Sequence, residues 1–148
     1  MMPAAEHERI VEAVIRVAER SLYAFAEPVP PEIMPRTIDG GWYDATVRFC
    51  GPFSGALALA VPVVLARQIC AAFLGDSEVD DETAIRDLVG EFANMACGTW
   101  LTAVNDAGCF DLARPEVTAA EALERRELAF VINELPVMLS ARIDGTAA

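Results

Sequence analysis

The spacing of apolar residues changes along the chain, and each change predicts a new element. From Glu6 to about Phe25, apolar residues recur every three or four positions, which predicts an amphipathic helix. Four prolines between residues 28 and 35 then favour an extended connector. Two apolar stretches, Tyr43 to Cys50 and Gly55 to Val61, predict a β-hairpin that turns through residues 51–54.

The second half of the chain alternates helix and hairpin signals. A helix is expected from Pro62 to Leu74, because proline suits a first helical turn and Gly75 suits a C-cap. After an acidic loop, a long helix is expected at residues 82–105, followed by an irregular segment at 106–116 with a short strand near 109–112. The last expected element is a hairpin with strands at 126–132 and 136–143 that turns at Asn133 and Glu134. The predicted fold is α+β: a single layered domain over residues 1–148, with antiparallel β-hairpins packed against long helices.

The long helix at residues 82–105 has apolar residues on most of its circumference, so it should be buried on two sides. Between the two flanks runs a narrow polar stripe formed by Asp87, Glu91, Asn94 and Gly98. A stripe of this kind is most simply a solvated face. Asn94 and the two glycines of this helix, Gly90 and Gly98, are poor helix formers, which favours a functional surface. Periodicity alone leaves both interpretations open.

Composition and charge exclude several functions. The net charge is −12, and all 11 basic residues are arginines, which argues against a nucleic-acid partner, a Schiff-base lysine or a phosphate-binding lysine. The longest uncharged apolar run, residues 56–66, is too short to span a bilayer, so we expect no membrane association and a cytoplasmic protein.

The four cysteines lack zinc-site spacing, so we expect buried free thiols and no metal site. Arg125 and Arg126 are expected to be a surface pair.

The long helix also carries a recognisable motif. Residues 87–98, Asp-Leu-Val-Gly-Glu-Phe-Ala-Asn-Met-Ala-Cys-Gly, resemble the signature of the CheC/CheX/FliY chemotaxis phosphatases. That signature has an acidic residue or serine, then glutamate, asparagine and a later proline, which Asp87, Glu91, Asn94 and Pro115 match. Residues 51–75 also resemble the segment that precedes the motif in CheX proteins. Gly98 is followed by Thr99 and Trp100, whereas members of the family often have an asparagine and a lysine at these two positions.

The resemblance implies a phosphatase that accelerates hydrolysis of the aspartyl-phosphate of a response-regulator receiver domain. It implies that Asn94 positions the attacking water and that Glu91 pairs with the receiver's lysine, whereas Asp87, Gly98 and Pro115 are expected at the partner interface. No cofactor of its own is implied, since the receiver carries the magnesium ion. A CheX-like homodimer joined through its sheet is also expected. The alternative is a non-catalytic adaptor of the same fold that binds a receiver or a flagellar-switch partner.

Overall fold

The computed structural model describes residues 2–75, 81–104 and 108–146. Within these ranges lie helices α1 (Ala4–Ser21), α2 (Val63–Leu74) and α3 (Glu82–Val104), and a short 3₁₀ helix at Pro31–Ile33. The strands are β1 (Glu27–Val29), β2 (Thr37–Cys50), β3 (Phe53–Pro62), β4 (Asp111–Leu112), β5 (Glu116–Ala122), β6 (Leu128–Ile132) and β7 (Leu135–Thr146).

The strands form one antiparallel sheet. Its order is β1-β6-β7-β3-β2, and the outer edge of β2 pairs with β4 near one end and with β5 along most of the rest. Both predicted hairpins are present. The second turns at Asn133 and Glu134, which both have positive φ angles (51° and 65°), as a two-residue type I′ turn requires. The α+β fold predicted from the sequence is confirmed.

All three helices pack on one face of the sheet, and α3 contacts α1, α2 and β2. Alternate residues of each central strand point into this core, as the period of two requires. The residues of α3 that are buried here are Ile85, Val89, Gly90, Phe92, Ala93, Ala96, Cys97, Trp100 and Leu101. Because they occupy most of its circumference, the helix is held on two sides, and only a narrow strip is left accessible.

The other face of the sheet carries a smaller apolar cluster, formed by Trp42, Ala60, Leu123, Ala129 and Met138. Beside it, Arg126 donates a hydrogen bond to Asp44 at 2.6 Å, and the Arg126 side chain is only 9% exposed. The expected surface pair is therefore wrong for Arg126 alone: Arg125 is exposed, whereas the Asp44 carboxylate on β2 neutralises Arg126 and allows its side chain to be buried.

Two strands differ from the sequence expectation. β1 forms within the proline-rich connector, and β5 runs from Glu116, the last residue of the expected irregular segment, through residues for which no element was expected. β5 consists mainly of alanine, glutamate and threonine and is mostly exposed, so it has neither the composition nor the alternation of a typical strand. Its pairing with β2 supplies its hydrogen bonds. α1 ends at Ser21, four residues early, and Tyr23 beyond it has a left-handed φ of 53°. No helix in the described ranges combines the length and apolar character needed to cross a membrane.

Candidate functional site

Helix α3 begins with a local capping arrangement. Asp81 accepts a hydrogen bond from the backbone N–H of Ala84 through its Oδ1 atom at 3.2 Å, and its carbonyl oxygen accepts one from Ile85 at 3.0 Å. Aspartate is a favoured N-cap because its carboxylate accepts bonds from the unpaired N–H groups of the first turn. The helix that carries the motif therefore has a defined start, and the positions of its side chains follow from 3.6 residues per turn.

The four stripe residues lie in a row on the accessible strip of α3. Asp87 and Glu91 are exposed, whereas Asn94 and Gly98 are half-buried. A Cβ atom added at Gly98 would meet nothing within 4 Å, so the space in front of this residue is open. From Asp87 to Asn94 the helix rises about 10 Å. The structure thus places two carboxylates and one carboxamide on a single rigid element, with free space beside the carboxamide.

Arg86 lies next to Asp87 in sequence but is fully engaged elsewhere. Its guanidinium pairs with Glu82 Oε1 at 3.1 Å, donates to the carbonyl oxygen of Val117 at 3.1 Å, and lies 5.1 Å from the centre of the Tyr43 ring. These contacts direct the Arg86 charge away from the stripe. The carboxylates of Asp87 and Glu91 therefore keep their negative character toward an approaching partner.

A groove of about 600 Å³ runs between α1 and α3 beside Asn94 and Gly98. Its α1 wall is formed by Arg16, Val17 and Ser21; the rest of its lining consists of Asn94, Met95, Gly98, Thr99, Thr102 and Ala103 of α3 and Leu112 of β4. Sequence reasoning missed the α1 side of this site. Nothing near Arg16 in the sequence marks it, because an arginine on the polar face of an amphipathic helix is typical of solvated surface.

Pro115, the proline expected at the partner interface, is half-buried and lies against α3. Its Cβ atom would be 3.4 Å from a Cβ added at Gly90, which belongs to the buried side of the helix. The structure thus brings Pro115 onto the helix of the motif residues, in contact with the backbone at Gly90. Its participation in partner binding stays a prediction.

The cysteines are not all buried, contrary to expectation. Cys70 and Cys97 are buried, whereas Cys50 and Cys109 are exposed at the end of β2 and just before β4. Burial raises the pKa of the Cys97 thiol to about 12, so this neighbour of Gly98 stays protonated and is no nucleophile at neutral pH. Within the described residues, no three His, Cys, Asp or Glu side chains are grouped as metal ligands would be.

Comparison with solved structures identifies similar folds. A CheX protein from Desulfovibrio desulfuricans aligns over 95% of this chain and 99% of that chain, with 19% identity and a TM-score of 0.71. A CheC-like superfamily protein from Shewanella sp. PV-4 aligns over 97% and 100%, with 19% identity and a TM-score of 0.74. A CheX–CheY–BeF₃–Mg²⁺ complex from Borrelia burgdorferi aligns over 96% and 98%, with 16% identity and a TM-score of 0.64. At these identities the likeness establishes the fold.

Family membership rests on the sequence itself. No curated protein matches the sequence. The family model described as chemotaxis phosphatase CheX matches residues 43–132, more than half of the chain. The matched region includes most of the first hairpin, α2, the whole of α3 with its polar stripe, and Pro115. The chain therefore belongs to the CheX family of chemotaxis phosphatases.

Proposed function

We propose that this protein accelerates hydrolysis of the aspartyl-phosphate of a response-regulator receiver domain in chemotaxis-type two-component signalling. The observation that carries the proposal is that Glu91, which is exposed, and Asn94, which is half-buried, share the accessible strip of α3, a helix otherwise buried on both flanks. A rigid, packed helix holds these two groups at a constant separation, as the insertion of a catalytic group into another protein's active site requires.

The chemistry that we assign to Asn94 is the positioning of water. An acyl phosphate is a reactive species, so a helper needs only to hold a water molecule in line with the phosphorus atom. A carboxamide does this with one acceptor and two donor positions and without gaining a charge. Asn94 is half-buried beside open space at Gly98, which leaves room for the receiver to approach the amide.

Glu91 is assigned a binding role. It is exposed one turn before Asn94, and we propose that it pairs with the lysine of the receiver's active site. The pair would become desolvated when the two proteins meet, which strengthens it and sets the register of Asn94 over the phosphoryl group. Asp87, a further turn back, would extend the same contact, and Gly98 would admit the receiver's backbone.

The magnesium ion of the reaction is proposed to belong to the receiver, and the phosphatase is expected to supply side chains alone. In the Borrelia burgdorferi complex named above, a CheX protein is bound to CheY together with BeF₃ and Mg²⁺. By analogy, we propose that the partner of the present chain is likewise a receiver domain in its phosphorylated form.

A homodimer joined through the sheet is proposed as the assembly. The sheet face opposite the helices has a region of small side chains in register across three strands: Thr46, Ala58 and Ser140. All three are half-buried, and the apolar cluster of this face lies beside them. A second copy could pack closely on such a surface, and the helices with their polar stripe would remain free on the other side.

The alternative is a non-catalytic adaptor of the same fold. The departure from the family pattern at Trp100 gives it little support, because Trp100 is fully buried and packs edge-on against Phe49 with ring centres 5.5 Å apart. The change at Trp100 alters the core and leaves the stripe as it is, whereas Thr99, the other departure, is half-buried and lines the groove beside Asn94. An adaptor would bind a phosphorylated receiver without shortening the lifetime of its acyl phosphate.

The deciding experiment follows acyl-phosphate decay. Receivers encoded in the same genome are phosphorylated with acetyl phosphate and excess donor is removed; the loss of protein-bound phosphate is then timed with and without the protein. Faster decay for at least one receiver is the expected result. Binding to the phosphorylated receivers with unchanged decay would identify the adaptor, and neither binding nor faster decay for any receiver would contradict both functions.

A further inference from the structure

We infer that the groove between α1 and α3 is a docking surface for an acidic loop of the receiver, and that Arg16 is the residue that binds it. This inference rests on the proposed function and names the part of the partner that the site would hold. Its basis is the charge of the groove: among the ten described residues that line it, Arg16 alone is charged.

The carboxylates of the stripe suit the receiver's lysine, but they do not suit the acidic groups beside that lysine. The chain carries a net charge of −12, and Asp87 and Glu91 are both exposed on the stripe. A receiver site that holds Mg²⁺ beside an aspartyl-phosphate presents carboxylates and a phosphoryl group, because oxygen anions are the ligands that Mg²⁺ prefers. Two surfaces of the same sign repel each other at short range. A cation on the phosphatase side, in the groove that Asn94 also lines, would therefore favour docking.

Arg16 is better placed to supply this cation than the other arginines of α1 and α3 are. Arg86 is held by Glu82 and the Val117 carbonyl oxygen, and Arg9 pairs with Glu6. Arg20, one turn after Arg16 on α1, is exposed but does not line the groove. Among the ion pairs and side-chain hydrogen bonds of the described residues, none involves Arg16, although Glu12 and Glu19 lie at pairing distance in sequence on the same helix. Its guanidinium is available to a partner.

The remaining lining of the groove suits a loop of polypeptide. The hydroxyl-bearing residues Ser21, Thr99 and Thr102 can hydrogen-bond to a partner's backbone, and Val17, Met95 and Leu112 provide apolar contact. The volume of about 600 Å³ lies within the range typical of ligand pockets, which accommodates several side chains. An arginine at the side of such a groove can bind a carboxylate with two parallel hydrogen bonds.

The test compares Arg16→Ala with Arg20→Ala, a matched control that removes the same charge from the same helix outside the groove. Dephosphorylation rates are measured against receiver concentration at low and moderate ionic strength. We expect Arg16→Ala to raise the half-saturating receiver concentration about three- to tenfold with an unchanged maximal rate, because a charge at the edge of an interface acts chiefly on association. Arg16→Glu should raise it further, Arg16→Lys should recover most of the loss, and Arg20→Ala should match the wild type.

The salt dependence provides a second measurement. The half-saturating concentration of the wild type should rise with salt more steeply than that of Arg16→Ala, because salt screens an attraction that only the wild type has.

If Arg16→Ala equals the wild type at low salt while the wild type accelerates decay, the inference is wrong and the proposed function stands. If the wild type accelerates no receiver, binding is measured with the beryllofluoride form of each receiver. An affinity loss in Arg16→Ala that Arg20→Ala does not share would still support the groove as the docking surface. Equal affinities of Arg16→Ala and the wild type, or no binding, would overturn the inference. Thermal unfolding of each variant checks that its fold is intact.

Discussion

Gly90 and Pro115 lie against each other, and this contact joins helix α3 to the residue that immediately precedes β5. A Cβ atom at Gly90 would come within 3.4 Å of the Pro115 Cβ and 3.3 Å of the Val117 Cγ2. The distance to Val117 is shorter than most Cβ contacts and the distance to Pro115 is a close van der Waals contact, so the glycine allows the chain around Pro115 to approach α3. Just beyond Pro115, β5 begins its pairing with β2. Gly98, two turns later on the same helix, has nothing within 4 Å of the equivalent position.

The contrast between the two glycines gives the first prediction. Gly98→Ala should increase the free energy of unfolding by up to about 1 kcal/mol, because alanine is the better helix former and meets no obstacle here. The same methyl group would occupy the space beside Asn94, so we expect phosphatase activity to fall about tenfold or more. Chemical denaturation and acyl-phosphate decay are measured on the same preparation. A variant with wild-type activity would exclude Gly98 from the partner surface.

Gly90→Ala serves as the matched control for this prediction. It has the same gain in helix propensity, but the added methyl group contacts Pro115 and Val117, so its gain in stability should be smaller than that of Gly98→Ala. It faces the protein interior, and we expect activity to stay within about twofold of the wild type, as for a change outside the reacting groups.

The second prediction concerns Asn94. Asn94→Ala should lower the accelerated rate by about 10²-fold, the cost typical of removing one positioned hydrogen-bonding group from a site. The fold should be unaffected, since the side chain is half-buried on the accessible strip of α3. Gln68→Ala, which removes an exposed amide from α2, is the control and should leave the rate unchanged. Near wild-type turnover in Asn94→Ala would refute the assigned role.

The third prediction separates binding from chemistry. If Glu91 pairs with the receiver's lysine, Glu91→Ala should weaken binding to the beryllofluoride form of the receiver by about 2–5 kcal/mol, the usual cost of truncating a desolvated charge pair. Titration calorimetry measures this directly. Glu12→Ala, an exposed glutamate on α1 outside the groove, should bind like the wild type. An unchanged affinity in Glu91→Ala would mean that Glu91 is only solvated surface.

The fourth prediction follows from the buried thiol of Cys97. Its pKa is raised from 9.0 to about 12 by burial, so above pH 9 the unfolded chain loses a proton that the folded protein keeps. The contribution of Cys97 to stability is therefore complete below pH 9. Between pH 9 and 12 it should be lost at about 1.4 kcal/mol per pH unit. Denaturant unfolding at a series of alkaline pH values, compared with Cys97→Ala, measures the difference. Parallel pH profiles would contradict the prediction.

The fifth prediction concerns assembly. Sedimentation equilibrium at micromolar concentration should give twice the chain mass of 15.9 kDa. Ala58→Arg should shift the protein toward the monomer, because it introduces a bulky charge among the small side chains of the open sheet face. Gln68→Arg, on the helix side, should have no effect on the mass. A single species at the chain mass for the wild type would rule out the dimer.

Much of the fold follows from local sequence signals. The spacing of apolar residues in α3, the left-handed Gly75 that ends α2, and the Asn133–Glu134 turn all appear in the structure where their patterns predict them. The polar stripe was also predictable, because 3.6 residues per turn determines which residues share a helix face. These features depend on neighbours within a few positions, and the sequence alone was sufficient to determine them.

Other features exist only because distant segments meet. β5 has the composition of a loop and becomes a strand because the edge of β2 offers it hydrogen bonds. Arg126 is buried because Asp44, 82 positions away, neutralises it. Arg16 resembles any solvated helix residue until α1 packs beside α3 and places it in the groove next to Asn94. Such pairings are decided by how the layers pack, since a residue's environment depends on which segments fold against it and its own local pattern carries no record of them.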